Sequence, residues 1–115
     1  MEITKEEVED ILIFYIDGKI DMYCATQAKD FILNEVDNAG MKKIIINLKD
    51  VDYLDSSGIG SLVNVYAAIR ENGKMRICEI QEQVYSVLKL TGLIGFFQID
   101  ETEEESQMAL ESDEA

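Results

Sequence analysis

The stretch KKIIINLKDVDYLDSSGIGSLVNVYAAIRENG, residues 42–73, decides the fold. Its first part, Lys42–Leu48, is a solid Ile run of the kind found at the centre of a sheet covered by helices on both sides. The polar pair Lys49-Asp50 reads as the turn that ends this strand. Further on, Asp55, Ser56 and Ser57 stand directly before apolar residues at 59, 62, 63, 66 and 69, the spacing of an amphipathic helix that Asn72-Gly73 terminates. A serine therefore sits at a helix N-terminus, where a core strand hands over to a helix.

The same alternation continues on both sides. ILIFYIDG (11–18) is a nearly continuous apolar stretch ended by Asp17-Gly18, a strand buried on both faces, and a short edge strand near Met1–Lys5 is expected to pair with it. Asp21 is a good N-cap for a helix reaching Asn38, stopped by Gly40. KMRICEI (74–80) reads as a third core strand, QEQVYSVLKLTG (81–92) as a helix and FFQI (96–99) as a short last strand. Glu101 to about Ser112 can form a final helix with a thin apolar face, Met108 and Leu110. Strands alternating with helices favour parallel pairing through right-handed crossovers, with a hairpin at the start. The expected architecture is one small α/β domain over residues 1–115: a mixed, mostly parallel sheet of four to five strands with about four helices, and an acidic tail from about Glu101 with freedom to move.

Composition narrows the chemistry. The 115 residues include 10 basic and 24 acidic side chains and no His, for a net charge of −14. Without histidine, a Ser-His-Asp or Cys-His triad and an HExxH zinc site are impossible within this chain. A surface this acidic repels phosphate backbones and anionic lipid, so neither nucleic acid nor membrane is an expected partner. Eight of the acids, and no base, lie between Asp100 and Ala115. Cys24 and Cys78 are too far apart for a CxxC site and read as small buried hydrophobes. The acidic N-terminus is unlike a secretory signal, and the longest apolar run, Ile11–Ile16, is far short of a membrane span, so a cytoplasmic protein is expected.

The junctions 17–21 and 52–58 would lie at one edge of the sheet if their strands are parallel neighbours, surrounding Ser56 with carboxylates. Asp55-Ser56-Ser57-Gly58 has a plain explanation: Asp or Ser caps the helix, and Gly58 lets the first turn pack closely. It also has a sharper one, a phosphorylation site. A phosphoserine adds about −1.5 to −2 charges and three acceptor oxygens, which a helix N-terminus tolerates. Gly58-Ile59-Gly60 lacks the third glycine of a dinucleotide loop, since Val63 stands there, and Asp17 alone does not make the paired acids of a receiver domain. Ser61, Asn64, Val65 and Ala68 are expected on the exposed side of the helix, small enough to let another protein approach.

Three segments resemble the STAS family of bacterial anti-sigma-factor antagonists, and the likeness spans nearly the whole chain. They are Gly18-Lys19-Ile20-Asp21 followed by Ala25; Ile44–Leu48 leading through Val51 and Leu54 into Asp55-Ser56-Ser57-Gly58-Ile59-Gly60; and Leu88-Lys89-Leu90-Thr91-Gly92-Leu93. The resemblance implies a STAS-like fold and a non-enzymatic partner-switching protein without a cofactor of its own. Unmodified, such a protein binds an anti-sigma factor that is also a serine kinase and so frees a sigma factor for transcription. The kinase phosphorylates Ser56, which ends the contact, and a PP2C-type serine phosphatase reverses it; ATP and Mg²⁺ belong to the kinase. On this likeness Asp21, Asp55, Ser57, Gly58, Ile59, Gly60, Ser61 and Asn64 form the docking surface. Met22-Tyr23-Cys24 replaces a more polar stretch, a departure that bears on partner choice. The alternative is a STAS-like subunit of a membrane-transport or lipid-transfer assembly that needs no phosphate.

Overall fold

The computed structural model describes residues 1–112, which form β1 (Glu2–Val8), β2 (Ile11–Ile20), α1 (Ala25–Ala39), β3 (Lys43–Leu54), α2 (Ser56–Ile69), β4 (Lys74–Cys78), α3 (Glu82–Leu90), β5 (Ile99–Asp100) and α4 (Glu103–Ser112). The strands lie side by side in chain order, β1 antiparallel to β2 and every later pair parallel. Because β2 to β5 step in one direction, right-handed crossovers place α1, α2 and α3 on the same face. Leu12, Phe14 and Ile16 of β2, with Ile44, Ile46 and Leu48 of β3, pack there against Ile32, Leu62, Val65 and Leu88.

The opposite face would be left bare, yet Ile11, Ile13, Ile45 and Cys78 point into it. Leu110 of α4 closes over them. Both faces being covered is why the strand sequences are continuous rather than alternating.

Several boundaries differ from the sequence expectation. Lys49-Asp50 is no turn: β3 runs on to Leu54, with Val51 and Leu54 buried, and its pairing with β2 shifts register between Tyr15 and Asp17 and again between Gly18 and Lys19. An extra residue on β3 at each shift lets exposed Lys49 and Asp50 pass without breaking the strand. Helix α1 starts at Ala25, four residues after Asp21, because the Asp21 carbonyl closes a turn onto the N–H groups of Cys24 and Ala25. Phe96 and Phe97 precede the last strand and meet Tyr66 edge-on at 5.2 and 5.7 Å, which leaves β5 only two residues.

The acidic C-terminal segment packs as α4, its last three residues, 113–115, lying outside the described ones. Leu110 is buried as the thin apolar face requires, but Met108 is exposed and Ser106 takes the inward position instead. The Ser106 hydroxyl donates to Asp100 Oδ2 at 2.6 Å, and Arg76 grips the same carboxylate through Nε at 2.6 Å and a second guanidinium nitrogen at 3.0 Å. Asn47 Nδ2 donates to Glu103 Oε1 at 3.0 Å. Beneath the helix, burial and the nearby Glu79 push the Cys78 thiol up to about 12.

Leu110→Ala should lower the unfolding free energy by about 2–4 kcal/mol in urea titrations and make Cys78 accessible to a thiol reagent that leaves it untouched in the intact protein. Arg76 first, with Ser106 also contributing, holds the Asp100 carboxyl below its usual range. The stability this adds is present above the unfolded carboxylate pKa and is lost as pH falls through the lowered folded value. Asp100→Asn should therefore be less stable than wild type at pH 7, with the difference shrinking in urea titrations repeated at successively lower pH.

Candidate functional site

Parallel pairing sets Ile20 opposite Leu54, so the connections leaving β2 and β3 emerge side by side. Asp55 joins them. Its Oδ1 accepts from the Gly58 N–H at 3.0 Å, capping α2, and its Oδ2 accepts from the Met22 N–H at 3.1 Å on the other connection. The next amide, Tyr23 N–H, donates to Asp21 Oδ1 at 3.0 Å, so two carboxylates take two consecutive backbone donors. Asp21 thus stabilises a turn rather than capping α1 directly.

Gly58 is there for space. A Cβ at this position would run into the Ile20 carbonyl oxygen and stand 2.7 Å from Leu54 Cδ1. With no side chain, the first turn of α2 seats directly on the end of β2, as the motif suggested. Ser56, the first residue of α2, and Ser57 are exposed at this seat.

The remaining residues of the expected surface divide. Asn64 is exposed and Gly60 half-buried, whereas Gly58, Ile59 and Ser61 are buried, the Ser61 hydroxyl donating to the Gly58 carbonyl at 2.9 Å. Ser61 and Val65, expected on the exposed side, face inward because α2 packs against α1 as well as the sheet and so buries a wider stripe. Between the first turns of the two helices lies a shallow depression of about 210 Å³ bordered by Met22, Thr26, Lys29, Ser57, Gly60 and Asn64.

Met22 and Tyr23, which the sequence marked only as a departure bearing on partner choice, are 68% and 88% exposed in the turn held by Asp55 and Asp21. Exposed Tyr53 lies on β3 opposite Lys19 of β2, its ring 5.5 Å from Lys19 Nζ, which also pairs with Asp52 at 3.5 Å. Cys24 is only half-buried, its Sγ donating to the Lys19 carbonyl, and Cys78 is the buried thiol. Among the described residues, no group of three or more His, Cys, Asp or Glu is placed to hold a metal ion, and no helix is long and apolar enough to cross a membrane.

The sequence pattern that defines the STAS domain matches residues 2–106. The chain belongs to the STAS family. The anti-sigma F factor antagonist of Paenibacillus polymyxa is 24% identical over 112 residues, covering 96% of each chain. A crystal structure from Thermotoga maritima superposes with a TM-score of 0.88 at 27% identity, over 95% of this chain and 94% of that one. SpoIIAA, an anti-sigma factor antagonist whose unphosphorylated and phosphorylated forms have both been solved, shares the fold at TM-scores of 0.71 and 0.70 with 18% and 20% identity; the matches span 96% and 94% of this chain and 99% and 98% of those. The five-stranded mixed sheet with four helices is thus the STAS architecture, and DSSG sits at its β3–α2 junction.

The double role of Asp55 gives this STAS domain a distinctive response to substitution. Asp and Asn are equivalent at an ordinary N-cap, but an Asn here would aim its NH₂ at one of two backbone donors. Asp55→Asn should lower the unfolding free energy by about 1–2 kcal/mol, and hydrogen exchange at the Met22 or Gly58 amide should accelerate.

Proposed function

We propose that this STAS domain is an anti-sigma factor antagonist switched by phosphorylation of Ser56. The observation that carries the reading is an exposed hydroxyl on the first residue of α2, beside a carboxylate that ties the helix to the neighbouring turn. The relative named as an anti-sigma F factor antagonist, aligned over almost its full length, supports the same role. The unmodified form binds an anti-sigma factor that is also a serine kinase and thereby frees a sigma factor. A PP2C-type serine phosphatase removes the phosphate and restores the unmodified, binding-competent form. The domain's own part is binding, with no catalytic step.

Physics explains why one phosphate suffices. At a helix N-terminus the group gains about 0.3–1 kcal/mol from the backbone dipole, so the fold accepts it. A pair of unit charges about 5 Å apart at an effective dielectric of about 20 repel by ~3 kcal/mol before salt screening. That exceeds the roughly 2.8 kcal/mol that separates a hundredfold change in affinity. The phosphate adds bulk where Ser56 meets the partner, and its charge repels a carboxylate that the partner brings to that contact. Ser57, Gly60 and Asn64 supply contacts on α2, and Gly58, Ile59 and Ser61 hold the helix in place from within.

Incubation with the kinase and ATP, followed by peptide mass spectrometry, should place the phosphate on Ser56. Ser56→Ala should remain unmodified, and Ser56→Asp should bind the kinase about 100-fold more weakly by calorimetry. A Ser56→Ala protein phosphorylated as fully as wild type would overturn the assignment.

A further inference from the structure

Exposed apolar side chains on a small domain are usually scattered and need no explanation. Met22 and Tyr23 are different, being adjacent, large and carried on a turn whose backbone N–H groups are hydrogen-bonded to the neighbouring carboxylates. The Met22 N–H is bound by Asp55, the Tyr23 N–H by Asp21, and the Cys24 N–H and thiol by the carbonyls of Asp21 and Lys19. Two of these bonds come from the carboxylates that flank the DSSG junction, so the turn is rigidly joined to the Ser56 helix start. A pinned turn loses little conformational entropy on binding, and Tyr is among the residues that dominate interface energetics.

We infer that Met22 and Tyr23 are the partner-selecting residues of the domain, a two-residue apolar knob that enters an apolar pocket on the anti-sigma factor kinase. This rests on the function proposed above and names the chemistry of its partner. A kinase that reaches Ser56 meets this turn as well, because Asp55 holds the Met22 N–H and the first turn of α2 together. The complementary surface is therefore an apolar pocket next to the place on the kinase that receives Ser56. The fit of Met22 and Tyr23 distinguishes one kinase from another. A kinase whose pocket is polar or shallow would leave both side chains unburied and bind weakly.

The test uses the full chain and each histidine-kinase-like anti-sigma factor of the source genome, purified and loaded with ADP for binding or ATP for phosphorylation. Met22→Ser/Tyr23→Ser should weaken binding to the kinase that wild type prefers by about 30-fold or more. It should also raise the KM for Ser56 phosphorylation with kcat and melting temperature unchanged. Met22→Leu/Tyr23→Phe should bind as wild type does. A serine variant that binds within threefold of wild type overturns the inference while leaving the proposed function intact. Wild type that binds none of the kinases removes the proposed function, and this inference with it. Wild type that sediments as a dimer, with the serine variant a monomer that still binds the kinase, assigns the knob to a second copy of the chain and overturns the inference.

Discussion

Each oxygen of the Asp55 carboxylate accepts one backbone N–H, and the two donors belong to segments 36 residues apart, Met22 and Gly58. Helix start and neighbouring turn are thereby made into one object. The arrangement requires that β2 and β3 end level with each other, which the two register shifts along β3 bring about by setting Leu54 opposite Ile20. It further requires that α2 approach the Ile20 carbonyl more closely than any side chain at residue 58 would allow. Strand register, the missing Cβ and the divided carboxylate support one another, and the exposed serines sit on top of all three.

A second constraint acts at the level of the whole sheet. With the parallel strands advancing one way, the crossover helices crowd a single face, and the other is left to a helix that follows the last strand. That cover is held less by hydrocarbon than by hydrogen bonds: Leu110 supplies the apolar contact, while Ser106, Asp100, Arg76, Asn47 and Glu103 supply the polar ones. Sheltered polar bonds of this kind fix position strongly, because leaving any partner unsatisfied is expensive.

The elements and their order were legible because Ile11–Ile16 and Ile44–Ile46 leave no doubt about buried strands, and Gly40 and Gly73 mark real ends. Precise boundaries were not. Lys49-Asp50 looks like a turn in one dimension, and only pairing with β2 reveals a strand that absorbs extra residues. Ser61 and Val65 looked exposed because a helix packed on one surface buries a narrower stripe than a helix packed on two. At the site, DSSG identified the junction and the exposed serines, whereas the two-way hydrogen bonding of Asp55 depends on a contact across 33 residues that no local pattern encodes. Met22-Tyr23-Cys24 registered only as a departure from a more polar stretch; its exposure and rigidity needed coordinates.

The two margins of the sheet also shape how the molecule meets others. On one side β1 presents Glu2, Glu6 and Glu7 with Lys5, a charged border that discourages another chain from zipping alongside. On the other, β5 is two residues long, too brief a template for an incoming strand. Partners are thus turned away from backbone ladders, and recognition is left to the side chains that decorate the connections and helices, where a single change of charge can be felt.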